Sequence, residues 1–153
     1  MIKVNVLCEE KSWSKKIKKK EELFNKICKY FPRKFRFVNK KVYLTLLLSN
    51  NKKIKFLNKK FRNKNKHTDI LSFPFDDKKR NKKLSYLGDI IISFNYMDKP
   101  RNLDTNIFKQ KTVKIFIHGF LHLLGYDHIR FKDYKKMFKE EQKIFKSVKK
   151  VIK

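Results

Sequence analysis

The sequence has no alanine, three glycines, three prolines and two cysteines among its 153 residues. Cys8 and Cys28 form no C-x-x-C pair and no spacing typical of a disulfide framework, so we expect a reduced, intracellular protein. No apolar run approaches the length that spans a bilayer, and the first residues lack the pattern of a secretory signal peptide. These absences exclude a disulfide-stapled secreted domain and predict a cytoplasmic chain.

Acidic residues are also scarce. Fourteen aspartates and glutamates stand against 42 lysines and arginines, which gives a formal net charge of +28. Strong positive potential favours RNA, DNA or an anionic membrane as the partner. The abundance of Lys, Asn, Ile and Phe is also what an AT-rich genome produces. The charge therefore supports a polyanionic partner without identifying it.

The apolar content is sufficient for one hydrophobic core, with a hydrophobic fraction of 41% and fifteen phenylalanines. The length and the absence of repeats or linkers predict a single domain over residues 1–153. Strand and helix patterns alternate along the chain. Strands are predicted near residues 2–7, 42–48, 68–73 and 87–94, and helices near residues 15–30, 50–62, 106–124 and 132–151. This order predicts an α+β fold with helices packed on a small sheet of about four strands.

Three of the four histidines lie close together near residue 120. His118 and His122 are four residues apart and therefore share one face of a helix. Gly125 can end this helix in a left-handed conformation, which lets His128 supply a third nitrogen from the turn. Three imidazoles with a fourth position left to water are typical of a catalytic zinc site. Packing explains the three rings poorly, because each would need its own buried partner.

Two other kinds of zinc site fit part of this pattern. The same spacing occurs in zinc proteases with the motif H-E-x-x-H-x-x-G-x-x-H, where the glutamate takes the proton from the zinc-bound water. Gly119 occupies that position here, so a protease would need another general base. A structural zinc site would need a fourth protein ligand, for which Asp127 is the nearby candidate. We expect Asp127 to shape the turn before His128 instead.

The stretch from His118 to His128, with the sequence H-G-F-L-H-L-L-G-Y-D-H, closely resembles the signature of the YbeY family of metal-dependent endoribonucleases. Further segments match this family in the same order: Leu57–Arg62, Thr68–Pro74 and Leu87–Ile90. The resemblance implies a mixed sheet with the metal helix in a zincin-like core. It also implies cleavage of single-stranded RNA in 3′-end maturation of small-subunit ribosomal RNA and in ribosome quality control.

The resemblance identifies Arg62 as the family's essential arginine; by itself, Arg62 is one more surface cation. A guanidinium suits a phosphodiester because it donates two parallel hydrogen bonds to phosphate oxygens and stabilises transition-state charge. We therefore assign Arg62 and His118 as catalytic, with His118, His122 and His128 as ligands of one zinc ion. Three imidazoles also accept nickel, copper or iron, and the nucleophile, metal-bound water or the ribose 2′-hydroxyl, stays open.

The expected partners are single-stranded RNA and the small ribosomal subunit, without a membrane or a small-molecule ligand. A protein that binds the ribosome without catalysis is a further alternative. Asp89 interrupts an apolar strand, so we expect a buried carboxylate that holds a loop or orients a metal-ligating imidazole. His67 is expected to be exposed and no metal ligand. Glu140 and Glu141 are expected to form ion pairs that support the fold.

Helical spacing also predicts which apolar side chains are buried. In the three helices after residue 50 these are Ile54, Leu57 and Phe61; then Ile107, Val113, Ile117, Phe120, Leu121 and Leu124; and finally Tyr134, Met137, Phe138, Ile144, Phe145 and Val148. The segment at residues 76–83 is predicted to be a charged loop.

Overall fold

The computed structural model describes residues 1–75 and 84–152. The elements follow in the order β1 (Ile2–Cys8), α1 (Trp13–Lys16), α2 (Lys20–Lys29), β2 (Lys41–Ser49), α3 (Asn51–Arg62), β3 (Ile70–Pro74), β4 (Leu84–Ser93), α4 (Phe94–Met97), α5 (Thr105–Leu123) and α6 (Phe131–Val148). The charged loop predicted at residues 76–83 lies outside the described residues. Among the helices of the described ranges, none has both the length and the apolar character needed to span a membrane.

The four strands form one mixed sheet in the order β1-β2-β4-β3. β1, β2 and β4 run parallel to one another, and β3 pairs antiparallel to β4 at the edge of the sheet. β2 is central because it is apolar along most of its length, and its Leu44, Leu46 and Leu48 are fully buried. The predicted α+β fold with a mixed four-stranded sheet is confirmed.

The main core lies between one face of the sheet and the helices α1, α2, α5 and α6. Aromatic side chains fill it: the rings of Phe24 and Phe116 are 5.0 Å apart between their centroids, and those of Phe31 and Phe120 are 5.1 Å apart. The helix predicted at residues 15–30 is divided into α1 and α2. Ile17 leaves the helical conformation there and buries its side chain, which is 2% exposed.

α3 packs on the opposite face of the sheet, over a small second cluster of Ile54, Leu71 and Ile91. The helix begins at its cap Asn50, whose side chain accepts a hydrogen bond from the Lys53 N–H. The prediction that Phe61 is buried is wrong, because its side chain is 60% exposed. α3 reaches the edge strand β3 at this point, so the Phe61 ring packs against Phe73 and also faces solvent.

Three further burial predictions are wrong: Ile107 is 56% exposed, and Tyr134 and Phe138 are each 49% exposed. Ile107 lies in the first turn of α5, where the neighbouring Phe108 takes the buried position. In α6 the buried row consists of Met137, Glu140, Ile144 and Val148. Tyr134 and Phe138 therefore lie on a different side of that helix, where their rings stack on each other.

Candidate metal centre

The helix α5 begins and ends at residues suited to its termini. The Asp104 carboxylate accepts hydrogen bonds from the N–H groups of Asn106 and Ile107 at its start. At its end, the N–H groups of Gly125 and Tyr126 donate to carbonyl groups of the last turn, and Gly125 has a φ of 97°. This left-handed glycine, as the sequence predicts, turns the chain back towards the helix.

The turn brings the three histidines together. One ring nitrogen each from His118, His122 and His128 lies within 4.8 Å of the other two. The Nε2 atoms of His118 and His122 are 3.0 Å apart, and the His128 ring centroid is 5.4 Å and 5.0 Å from those of His118 and His122. His118 and His122 are partly buried and His128 is exposed, so the cluster lies at the surface of the fold.

Each histidine of the helix is oriented through its Nδ1 atom. The His118 Nδ1 lies 2.6 Å from the Glu141 Oε1, and the His122 Nδ1 lies 2.8 Å from the Tyr126 carbonyl oxygen. Both partners accept hydrogen bonds, so Nδ1 is the protonated nitrogen in each neutral ring and Nε2 carries the lone pair. This is the arrangement that metal-ligating histidines adopt.

The donor set fits a divalent transition metal. Two lone pairs that face each other at 3.0 Å repel, and a cation bound to both satisfies them. Burial, together with the neighbouring His118, lowers the pKa of His122 from its usual value, which favours the neutral form that binds metal. Imidazole ligands accept zinc, copper, iron and nickel.

Arg62 lies in the same cleft as the histidines. The cleft has a volume of about 690 Å³ and is lined by α5, by the turn after it, by β3 and by the end of α3. The Arg62 Nη2 donates a hydrogen bond of 2.7 Å to the Ser72 carbonyl oxygen, and the guanidinium carbon lies 5.3 Å from the centroid of the Phe73 ring. Two contacts with β3 therefore hold a cation beside the histidine cluster.

Gly119 lies between the two helical histidines and faces the sheet. A Cβ atom there would lie 2.7 Å from the Ile70 Cδ1 and 3.0 Å from the Ser72 Oγ. The absence of a side chain thus allows α5 to approach β3 closely. A glutamate at this position, as in the zinc proteases, would point at the sheet, so the close packing itself argues against a protease.

The acidic residues of the cleft take part in its turns. The Asp69 Oδ1 accepts a hydrogen bond from the Ile70 N–H at 2.8 Å, and the Asp127 Oδ1 accepts one from the Ile129 N–H at 3.3 Å. Neither carboxylate belongs to the three-histidine group. Within the described ranges, a structural zinc site therefore has three protein ligands and lacks the fourth that it needs.

Two acids and one histidine outside the motif have clear positions. Asp89, expected to be buried, is exposed instead and accepts a hydrogen bond from the Tyr86 hydroxyl, because it lies on the face of the sheet opposite α5. Glu140 is buried and pairs with Lys34 at 3.3 Å, as expected of a fold-supporting ion pair. His67 is exposed and contacts the Tyr96 hydroxyl, apart from the metal cluster, as expected.

Glu141 is the residue of the site that the sequence does not identify. The sequence predicts a fold-supporting ion pair for it, but its carboxylate contacts His118. No local pattern marks it, because the contact depends on how α6 packs on α5. The one signal in the sequence is the scarcity of acids in a chain with a net charge of +28.

The sequence is similar to one protein family over most of its length, and residues 6–149 match the family described as Endoribonuclease YbeY. It is 63% identical over 139 residues to Endoribonuclease YbeY of Pelagibacter ubique, with 91% of each chain covered. It is 35% identical over 129 residues to Endoribonuclease YbeY of Ehrlichia canis, with 84% of this chain and 80% of the relative covered. The fold is similar to the solution structure of a Thermotoga maritima protein, with a TM-score of 0.58 and 28% identity, over 95% of this chain and 88% of that one.

Proposed function

The chain belongs to the YbeY family of endoribonucleases, and on this basis we propose that it cleaves single-stranded RNA with the help of a bound zinc ion. We further propose that it acts at the 3′ end of small-subunit ribosomal RNA and in ribosome quality control, in the cytoplasm and as one domain. The observation that supports cleavage most directly is the position of Arg62 in the same cleft as His118, His122 and His128.

In this proposal the three histidines hold the metal. A bound divalent ion would supply Lewis-acid chemistry there, namely polarisation of a phosphate oxygen and a lower pKa for a water molecule. Glu141 and the Tyr126 carbonyl group fix the rings of His118 and His122, so that their Nε2 atoms face the cleft before a metal ion binds. Such preorganisation avoids a rearrangement of ligands during the reaction.

Arg62 binds the scissile phosphate in this proposal. Its contacts with the Ser72 carbonyl oxygen and with the Phe73 ring restrict the guanidinium, which lowers the entropy lost when it binds an anion. The guanidinium donates two hydrogen bonds to phosphate oxygens and stabilises the charge that develops as the P–O bond breaks. The net charge of +28 attracts the RNA backbone and makes its binding dependent on salt.

The proposal is tested by cleavage of single-stranded and duplex RNA by the purified protein, with the metal content of each sample measured. His118→Ala is expected to lose both metal and activity, because it removes a ligand. Arg62→Ala is expected to lose activity and keep the metal. His67→Ala and Arg101→Ala are matched controls, because His67 lies outside the metal cluster and Arg101 is exposed at a turn.

Equal cleavage by all five proteins would show a contaminating nuclease and contradict the proposal. RNA binding that survives in His118→Ala, with no turnover by the wild type, would favour a ribosome-binding factor without catalysis. Loss of metal from Arg62→Ala would contradict the role of Arg62. The ends of the products identify the nucleophile, because attack by the ribose 2′-hydroxyl leaves a cyclic phosphate and attack by water does not.

A further inference from the structure

A continuous row of cations and aromatic rings runs along α3 and ends at the cleft. We call this row the α3 strip; it consists of Lys53, Phe56, Lys60, Phe61 and Phe73. The Lys60 ammonium lies 5.9 Å from the centroid of the Phe56 ring and 5.3 Å from that of Phe61. The Phe61 and Phe73 centroids are 5.6 Å apart, and Phe73 in turn contacts the Arg62 guanidinium.

Two rings of the α3 strip, those of Phe56 and Phe61, are largely open to solvent, whereas Phe73 is partly buried. Phe56 is 58% exposed and Phe61 is 60% exposed, although both lie on a regular helix with a buried side. Exposed aromatic side chains that lie together on a surface mark a binding site more often than single exposed apolar residues do. Packing within the fold therefore buries only part of the Phe56 ring and of the Phe61 ring.

The charged residues of α3 itself are all positive. α3 has the sequence N-K-K-I-K-F-L-N-K-K-F-R, which contains lysine, arginine and no acidic residue. Lys53 reaches the Glu9 carboxylate at 3.9 Å, whereas Lys60 contacts the two rings. A surface that combines flat aromatic faces with cations is complementary to a polyanion that carries flat bases.

We propose that the α3 strip binds unpaired RNA nucleotides on one side of the scissile phosphate, with Phe61 and Phe56 as stacking platforms for bases. The inference rests on the proposed nuclease function and adds a substrate-binding surface to it. A base stacked on Phe61 would adjoin Arg62, the next residue of the chain, so its phosphate would enter the cleft. The lysines of the strip would contact the phosphates that follow.

This surface also accounts for a preference for single strands. In a duplex the bases stack on one another, and their faces are not available to a protein ring. An unpaired strand exposes each base, and any base can stack because all have a π-face. The α3 strip therefore selects for unpaired RNA without selecting for a particular sequence.

The test uses three variants, Phe56→Leu, Phe61→Leu and the double variant, in the metal-loaded protein. Leucine keeps the apolar contact with the fold and removes the flat ring, and melting curves confirm that each variant is folded. Tyr30→Leu is the matched control, because Tyr30 is 52% exposed beside Lys29 and does not line the cleft. Binding is followed by fluorescence anisotropy with a long oligouridine, a duplex of the same length and vesicles that contain phosphatidylglycerol.

Phe61→Leu is expected to raise the Kd for the oligouridine about ten-fold, with a larger effect in the double variant. The Kd of Phe61→Leu for the duplex should equal that of the wild type. The Kd of Tyr30→Leu for the oligouridine should also equal that of the wild type. In cleavage assays KM should rise for the oligouridine, with little change in kcat, and should not change for a dinucleotide that occupies the cleft alone. Lys60→Gln should weaken binding and reduce the dependence of log Kd on log salt by about one.

Equal Kd values for the wild type and the double variant would overturn the inference. If Phe61→Leu weakened binding to vesicles and not to the oligouridine, the strip would be a membrane-binding surface, and this result would also overturn the inference. If the wild type binds the oligouridine through Phe61 but never cleaves it, the nuclease proposal fails and the binding surface stands. The binding and cleavage measurements thus separate the two proposals.

Discussion

Glu141 of α6 contacts His118 of α5, with 2.6 Å between the carboxylate Oε1 and the ring Nδ1. The side chain that orients His118 thus comes from α6, whereas His118 and His122, two histidines of the proposed metal site, come from α5. Glu140, the adjacent residue, turns the other way and pairs with Lys34. Two neighbouring acids therefore have separate roles, which substitutions can distinguish.

Glu141→Gln should weaken metal binding. The amide is neutral and holds the protonated Nδ1 less strongly than the carboxylate, so we expect an affinity loss of about 10–100-fold. Competition with a chromogenic chelator measures this change. Glu140→Gln is the matched control: it should lower the melting temperature, because it removes a charge partner of Lys34, and leave metal affinity unchanged. Equal metal affinities in the two variants would contradict the positioning role of Glu141.

Arg62→Lys should lower kcat/KM while the metal content stays at the wild-type level. Lysine keeps the charge but cannot donate two parallel hydrogen bonds, and its ammonium group cannot replace the planar contact with Phe73. We expect a loss of about ten-fold to a hundred-fold, compared with about a hundred-fold or more for Arg62→Ala. Arg101→Lys should match the wild type. Full activity of Arg62→Lys would show that Arg62 contributes only its positive charge and not its two-donor geometry.

Metal removal should destabilise the protein. A ligand that binds only the folded state at about 100 times its Kd contributes about 2.7 kcal/mol. For a chain of 153 residues this free energy corresponds to a decrease in melting temperature of about 5–10 °C. Differential scanning fluorimetry with a chelator, followed by addition of zinc, measures the decrease and its reversal. The chelator should lower the melting temperature of His67→Ala as much as that of the wild type. An equal decrease in His118→Ala would show that the metal binds elsewhere.

Gly119→Ala should destabilise the fold by about 1 kcal/mol. The added methyl group overpacks the contact with β3, and the higher helix propensity of alanine offsets part of that effect. Ile70→Val removes the nearest atom, the Cδ1 that lies 2.7 Å from the position of the added methyl group. In a double-mutant cycle by urea denaturation, Ile70→Val should therefore reduce the effect of Gly119→Ala. Additive effects of the two substitutions would show that this contact does not limit the approach of α5.

The sequence predicts the elements of the site that depend on local spacing. His118 and His122 share a helix face because of their separation, and Gly125 adopts the expected left-handed conformation. The mixed sheet and the YbeY family membership are also confirmed. These features are local, or they are carried by motifs long enough to be specific.

The errors of prediction concern contacts between elements. Asp89 lies on a strand whose two faces have different surroundings, and periodicity alone does not show which face α5 covers. Phe61 fits the helical spacing of its buried neighbours, but the sheet ends beneath it. Glu141 reaches His118 only because α6 packs on α5. Each position depends on the tertiary arrangement and not on its neighbours in sequence.

The contact between Glu141 and His118 joins residues that are added to the chain at different times during synthesis. The ribosome makes Arg62 first, then the histidines and last the helix that carries Glu141. The carboxylate that contacts His118 is therefore the last of these groups to be added to the chain. The contact between Glu141 and His118 can thus form only after α6 has been made and has packed on α5.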